Sequence, residues 1–146
     1  MNAAYLHLTL NHIPVLGSVF GIVLLAVALL RRNETLLRAA WVSFVVVALV
    51  AIPVYFSGRS AEDIVKHEPG VTKDAIHAHE DIALFALVGA EALGILALWA
   101  LVLSRRGRTP AWLGPGSLVL AIVVAGLMGF TAERGGRINH PEAHGR

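Results

Sequence analysis

Four stretches of this sequence, 13–30, 36–56, 82–103 and 112–130, are almost free of charge. Each is long enough, at about 1.5 Å per helical residue, to cross a hydrocarbon layer of roughly 30 Å. A backbone in lipid must satisfy its own hydrogen bonds, so each stretch is expected to be a helix. With 146 residues, 56% of them hydrophobic and 15% charged, the chain is too apolar for an ordinary soluble domain and too short for more than one membrane bundle. The expectation is a single all-α domain, an integral membrane four-helix bundle. Its helices are expected at about 11–30, 35–57, 73–104 and 112–133, with a structured outer loop at 58–72 and an outer tail at 134–146.

Arginine gives the orientation. The segments RRNETLLR and RRGR follow the first and third apolar stretches, whereas the 58–75 loop mixes its basic residues with acids. Dense Arg in short connections marks the cytoplasmic side, which places both termini outside. The opening MNAAYLHLTLN carries no Lys or Arg, so the first stretch is read as an uncleaved span rather than a signal peptide. A multi-pass protein of the bacterial inner membrane, with its termini in the periplasm, is the resulting picture.

Local signals refine the ends. Asn11 is expected to cap the first helix, with Pro14 tolerated in its first turn, and Thr72 to cap the third. Ser60 and Asp63 resemble the cap of a short separate helix, Pro69-Gly70 a turn, and Gly135-Gly136 the close of the last helix. There is an internal echo: HIPVLG leads on to LLAVALLRR as HAHEDI leads on to LWALVLSRR, so two tandem hairpins are conceivable, with His12 matched to the 77–79 region.

All seven histidines, His7, His12, His67, His77, His79, His140 and His144, map to the outer side of this topology. Glu62, Asp63, Glu68, Glu80, Asp81, Glu133 and Glu142 join them, and together they supply every common ligand type except sulfur. A solvated rim would be built from the same residues. With no Cys in the chain, iron–sulfur clusters on thiolates, covalent c-type haem and disulfides are excluded. The pI near 9.5 comes from Arg flanking apolar segments, not from a nucleic-acid-binding surface. His77 and His79 lie about 200° apart around a helix, so only one faces the bundle. Glu91 falls near mid-membrane and is expected to be protonated or to bond a hydroxyl such as Ser43 or Thr131. Helical register puts Glu80 and His77 on its face.

NHIPVLG at 11–17, SGRSAEDIVKHEPGV at 57–71, AHED at 78–81 and GGRINHPE at 135–142 resemble the signature of small bacterial four-helix membrane proteins grouped as a domain of unknown function. More distantly, the chain is similar to membrane domains fused to Rieske iron–sulfur proteins. The resemblance implies that His12, Glu62, His67, Glu68, His79, Glu80, His140 and Glu142 are the recurring polar positions, and that His7, His77 and His144 stand outside the pattern. It favours His79 over His77, against the register argument.

Three functions fit these residues. The first is a membrane electron-transfer protein whose haem b is ligated by His12 and His79, from the first and third spans. The second is a non-haem Fe, Mn or Zn site drawn from His12, His67, Glu68, His79, Glu80, His140 and Glu142. The third is a cofactor-free accessory subunit of a membrane respiratory or redox complex, its polar rim merely pinning loop and tail. The expected surroundings are the lipid bilayer, with no nucleic-acid partner.

Overall fold

The computed structural model describes residues 3–68 and 71–139. Among the described residues five helices follow in order: α1 (Ala3–Leu10), α2 (His12–Arg31), α3 (Glu34–Val65), α4 (Lys73–Arg105) and α5 (Leu113–Asn139). Four spans are long and apolar enough to cross a membrane: Tyr5–Arg31, Glu34–Val65, Lys73–Arg105 and Leu113–Ile138. The chain is therefore an all-α bundle suited to a multi-pass membrane setting.

The helices outrun their sequence-based bounds. Helical structure begins at Ala3, and α1 and α2 form one span broken at Asn11. Asn11 has helical backbone angles and makes no side-chain cap, contrary to expectation. Its N–H bonds the His7 carbonyl at 2.9 Å. Pro14 has no N–H to offer the Leu10 carbonyl, which is where the helical ladder is interrupted.

The region expected as an outer loop is mostly helix. α3 runs through Pro53 and on to Val65, and the Ser57 and Ser60 hydroxyls donate back to the carbonyls of Val54 and Phe56 instead of starting a new element. Likewise α5 passes through Gly135 and Gly136 to Asn139. The Thr72 cap is as expected, its Oγ1 accepting from the Ala75 N–H at 3.2 Å. Asn33, unremarked in the sequence, caps α3 by accepting from the Leu36 N–H at 3.0 Å.

Sequential helices α2, α3, α4 and α5 pack side by side, α5 closes back on α2, and α1 lies chiefly on α3. Trp41 and Phe44 of α3, Leu25 of α2, Leu93 of α4 and Val124 of α5 are fully buried at the centre. Between α3 and α4 the seam is built from small residues: a Cβ at Gly94 would fall on Ala48. Without a hydrophobic drive between helices in lipid, such close approach is what holds them. At the Arg-rich end, Arg38 of α3 donates to the Ser104 hydroxyl of α4 at 2.6 Å and to its carbonyl at 3.3 Å. A cation at a helix C-terminus is favoured by the helix dipole.

The two halves of the chain repeat one another. The buried positions of α2, Pro14, Ser18, Gly21, Leu25 and Ala28, recur at one constant offset as Ala86, Ala90, Leu93, Ala97 and Ala100 in α4. Those of α3, Ala40, Phe44, Val47 and Ala51, recur in the same way as Ser117, Ala121, Val124 and Met128 in α5. Contacts follow suit: a Cβ at Gly17 would meet Val47, and one at its counterpart Gly89 would meet Val124. The echo read in the sequence is thus a repeat of two helical hairpins, but its register matches His7, not His12, to His79.

Candidate functional site

His7 and His79 meet at the end of the bundle opposite the Arg-rich turns. Their ring centres are 6.4 Å apart and their planes cross at 88°. Each is fixed by its own hairpin. His7 Nδ1 lies 2.9 Å from the Val54 carbonyl of α3, and His79 Nδ1 lies 3.0 Å from the Thr131 carbonyl of α5. A carbonyl can only accept, so in the neutral rings Nδ1 carries the proton and Nε2 keeps a lone pair. Neither Nε2 is bonded to a described residue. An imidazole whose Nδ1–H is held by a backbone carbonyl is the usual form of a metal-ligating histidine.

A glycine lies beneath each ring. A Cβ at Gly58 would stand 2.9 Å from His7 Cε1, and one at Gly135 would stand 3.1 Å from His79 Cε1. Gly58 is four residues beyond Val54, and Gly135 four beyond Thr131. On a helix the side chain at that spacing leans over the earlier carbonyl, so glycine leaves the carbonyl open to an outside donor. Carbonyl, glycine and histidine form the same latch twice.

Both rings line a cavity of about 890 Å³ between the helices, a volume in the range of sites for small molecules and cofactors. Its walls are mainly apolar, with Val15, Leu87 and Met128 among them. Two acceptors in the wall, Asn11 Oδ1 and Glu80 Oε1, are buried without a hydrogen-bond partner. The other oxygen of Glu80 is 3.6 Å from His77 Nδ1.

The sequence-predicted site residues are distributed unevenly around this centre. His79, Glu80, His12, Glu62 and Glu68 all line the cavity. His12 is exposed at the start of α2, and the ring that stands against His79 belongs to His7. His67 is exposed in the turn after α3, His77 is exposed on α4, and neither lines the cavity. His140, Glu142 and His144 lie outside the described residues. Among the described residues, no group of three or more His, Asp or Glu side chains is placed to hold a single ion.

Glu91 does not find the expected partners. Ser43 donates to the Ala40 carbonyl and Thr131 to the Leu127 carbonyl, while Glu91 Oε1 is buried without a hydrogen bond. Sequence reasoning passes over His7 because the resemblance leaves it outside the recurring positions and the first helix is expected only from about residue 11. The available signal was the shared pairing of a histidine in one helix with a β-branched residue followed four positions later by glycine, VYFSG or TAERG, toward the end of the next. Comparison with known protein families, curated proteins and solved structures gave no match.

Proposed function

We propose that this chain is a membrane electron-transfer protein in which His7 and His79 bind the iron of a haem b from its two faces. The observation that carries the reading is the pair of latched imidazoles. Metal–nitrogen bonds of about 2 Å on opposite sides of one ion, with about 1 Å more from each nitrogen to its ring centre, separate two ring centres by about 6 Å. The 6.4 Å spacing fits that arrangement. A haem brings four equatorial nitrogens and asks the protein for two axial ligands, whereas a non-haem ion draws three or more from side chains. Two latched imidazoles across one cavity are the protein ligands a six-coordinate haem takes, and on that ground we favour haem over the non-haem alternative.

The cavity supports the same reading by its size and its apolar walls. Bound there, the haem would supply reversible one-electron chemistry at iron. The protein's own part is to fix both imidazoles and surround the macrocycle with helices from both hairpins. By the distribution of Arg, the short turns at Arg32-Asn33 and after Arg105 face the cytoplasm, and the histidine end with both termini faces the periplasm. A redox partner on that side follows as the class of partner to seek.

The test is an absorption spectrum of the detergent-purified protein, as isolated and after incubation with haemin, oxidised and dithionite-reduced. Low-spin six-coordinate bands, with sharp α and β peaks on reduction, are expected. A protein that takes up no haem in either preparation rules the reading out.

A further inference from the structure

The repeat that pairs His7 with His79 also pairs the positions just beyond the two glycine seats, Arg59 after Gly58 and Gly136 after Gly135. Both line the cavity. Here the halves differ in chemistry. Arg59 is exposed and makes no hydrogen bond or ion pair with a described residue. The nearby acid–base pairs Asp63–Lys66 and Glu133–Arg137 are closed on themselves. A Cβ at Gly136 would meet nothing within 4 Å. One side of the cavity thus offers an uncommitted guanidinium, and the equivalent place on the other side is open space.

We infer that Arg59 is the counter-ion of a carboxylate on the molecule in this cavity, and that Gly136 marks the equivalent position left without one. Resting on the haem reading, this assigns one propionate to Arg59 and leaves its twin without an arginine. Guanidinium suits the role because its planar fork can give two parallel hydrogen bonds to a carboxylate. The surrounding carboxylates Glu62, Glu68 and Glu80 would repel a propionate, so position matters as much as charge.

The experiment compares three full-length proteins loaded with haem: wild type, Arg59→Gln, and Arg59→Gln combined with Gly136→Arg. Haem loss to an excess of apomyoglobin and the pH dependence of the midpoint potential are followed. Arg59→Gln is expected to release haem roughly tenfold faster, as loss of one charge-assisted hydrogen bond implies, and to have a lower potential. The added arginine restores both, because it replaces the lost cation at the equivalent place. With haem dimethyl ester, which has no propionate charge, the three proteins should release at the same rate. Unchanged release in Arg59→Gln, a loss that Gly136→Arg does not reverse, or a difference that persists with the ester overturns the assignment. Failure of the wild type to bind haem at all is a separate result, and removes the reading on which the assignment rests.

Discussion

His7 and His79 stand with their ring planes nearly perpendicular and their centres 6.4 Å apart, each held through Nδ1 by a carbonyl of the neighbouring helix in its own hairpin. If both are axial ligands, His7→Ala and His79→Ala each leave the iron with one protein ligand. The low-spin spectrum is then expected to turn high-spin, with added imidazole restoring it. His12→Ala and His77→Ala should keep the wild-type bands. A low-spin spectrum surviving His7→Ala would return His12 to consideration.

The glycine beneath each ring gives a second test. In Gly58→Ala the new methyl group would lie 2.9 Å from His7 Cε1, too close for the ring to stay where it is. Haem affinity is expected to fall tenfold or more, corresponding to about 1.4 kcal/mol or more of lost ligand alignment. Gly135→Ala, where the approach is 3.1 Å, should show a smaller effect. Both are read by haem titration of the apoprotein.

Packing of α3 on α4 is tested at Gly94, where an added Cβ would fall on Ala48. Gly94→Ala is expected to destabilise the bundle by about 1–3 kcal/mol, the usual range for overpacking a tight seam. Gly126→Ala, which meets nothing within 4 Å, should be neutral or stabilising by up to about 1 kcal/mol through helix propensity. Unfolding by SDS in mixed micelles measures the difference.

Orientation is open to direct labelling, because the chain has no cysteine of its own. Lys66→Cys, beyond the end of α3, should react with a membrane-impermeant maleimide in spheroplasts. Arg108→Cys, in the turn between α4 and α5, should react only after permeabilisation. The reverse pattern would put the histidine end in the cytoplasm.

Much of the architecture was open to reading because lipid leaves little choice. A run of apolar residues of spanning length must be helical, and Thr72 at the head of α4 is an ordinary cap. Helix ends were harder. Pro53 and Gly58 normally signal a stop, yet α3 passes through both, since its serines bond their own carbonyls and the residues beyond still pack. His79 and Glu80 were identifiable as cavity residues, but the partner of His79 was not. Choosing between His7 and His12 needed the rotation of α1 relative to α2, which depends on the break at Asn11. The repeat was faint for a related reason: burial recurs at matching positions while the residues filling them differ, as Leu25 and Ala97 do.

The duplicated hairpin also bears on how such a protein could have arisen. Two separate copies of one hairpin would have to carry identical side chains at every equivalent position, arginine on both sides or on neither. Joining the copies in one chain removes that constraint, so Arg59 and its counterpart Gly136 are free to differ. Covalent linkage also fixes the number of latched histidines at one from each half, so an inherited change in either hairpin reaches the shared cavity undiluted.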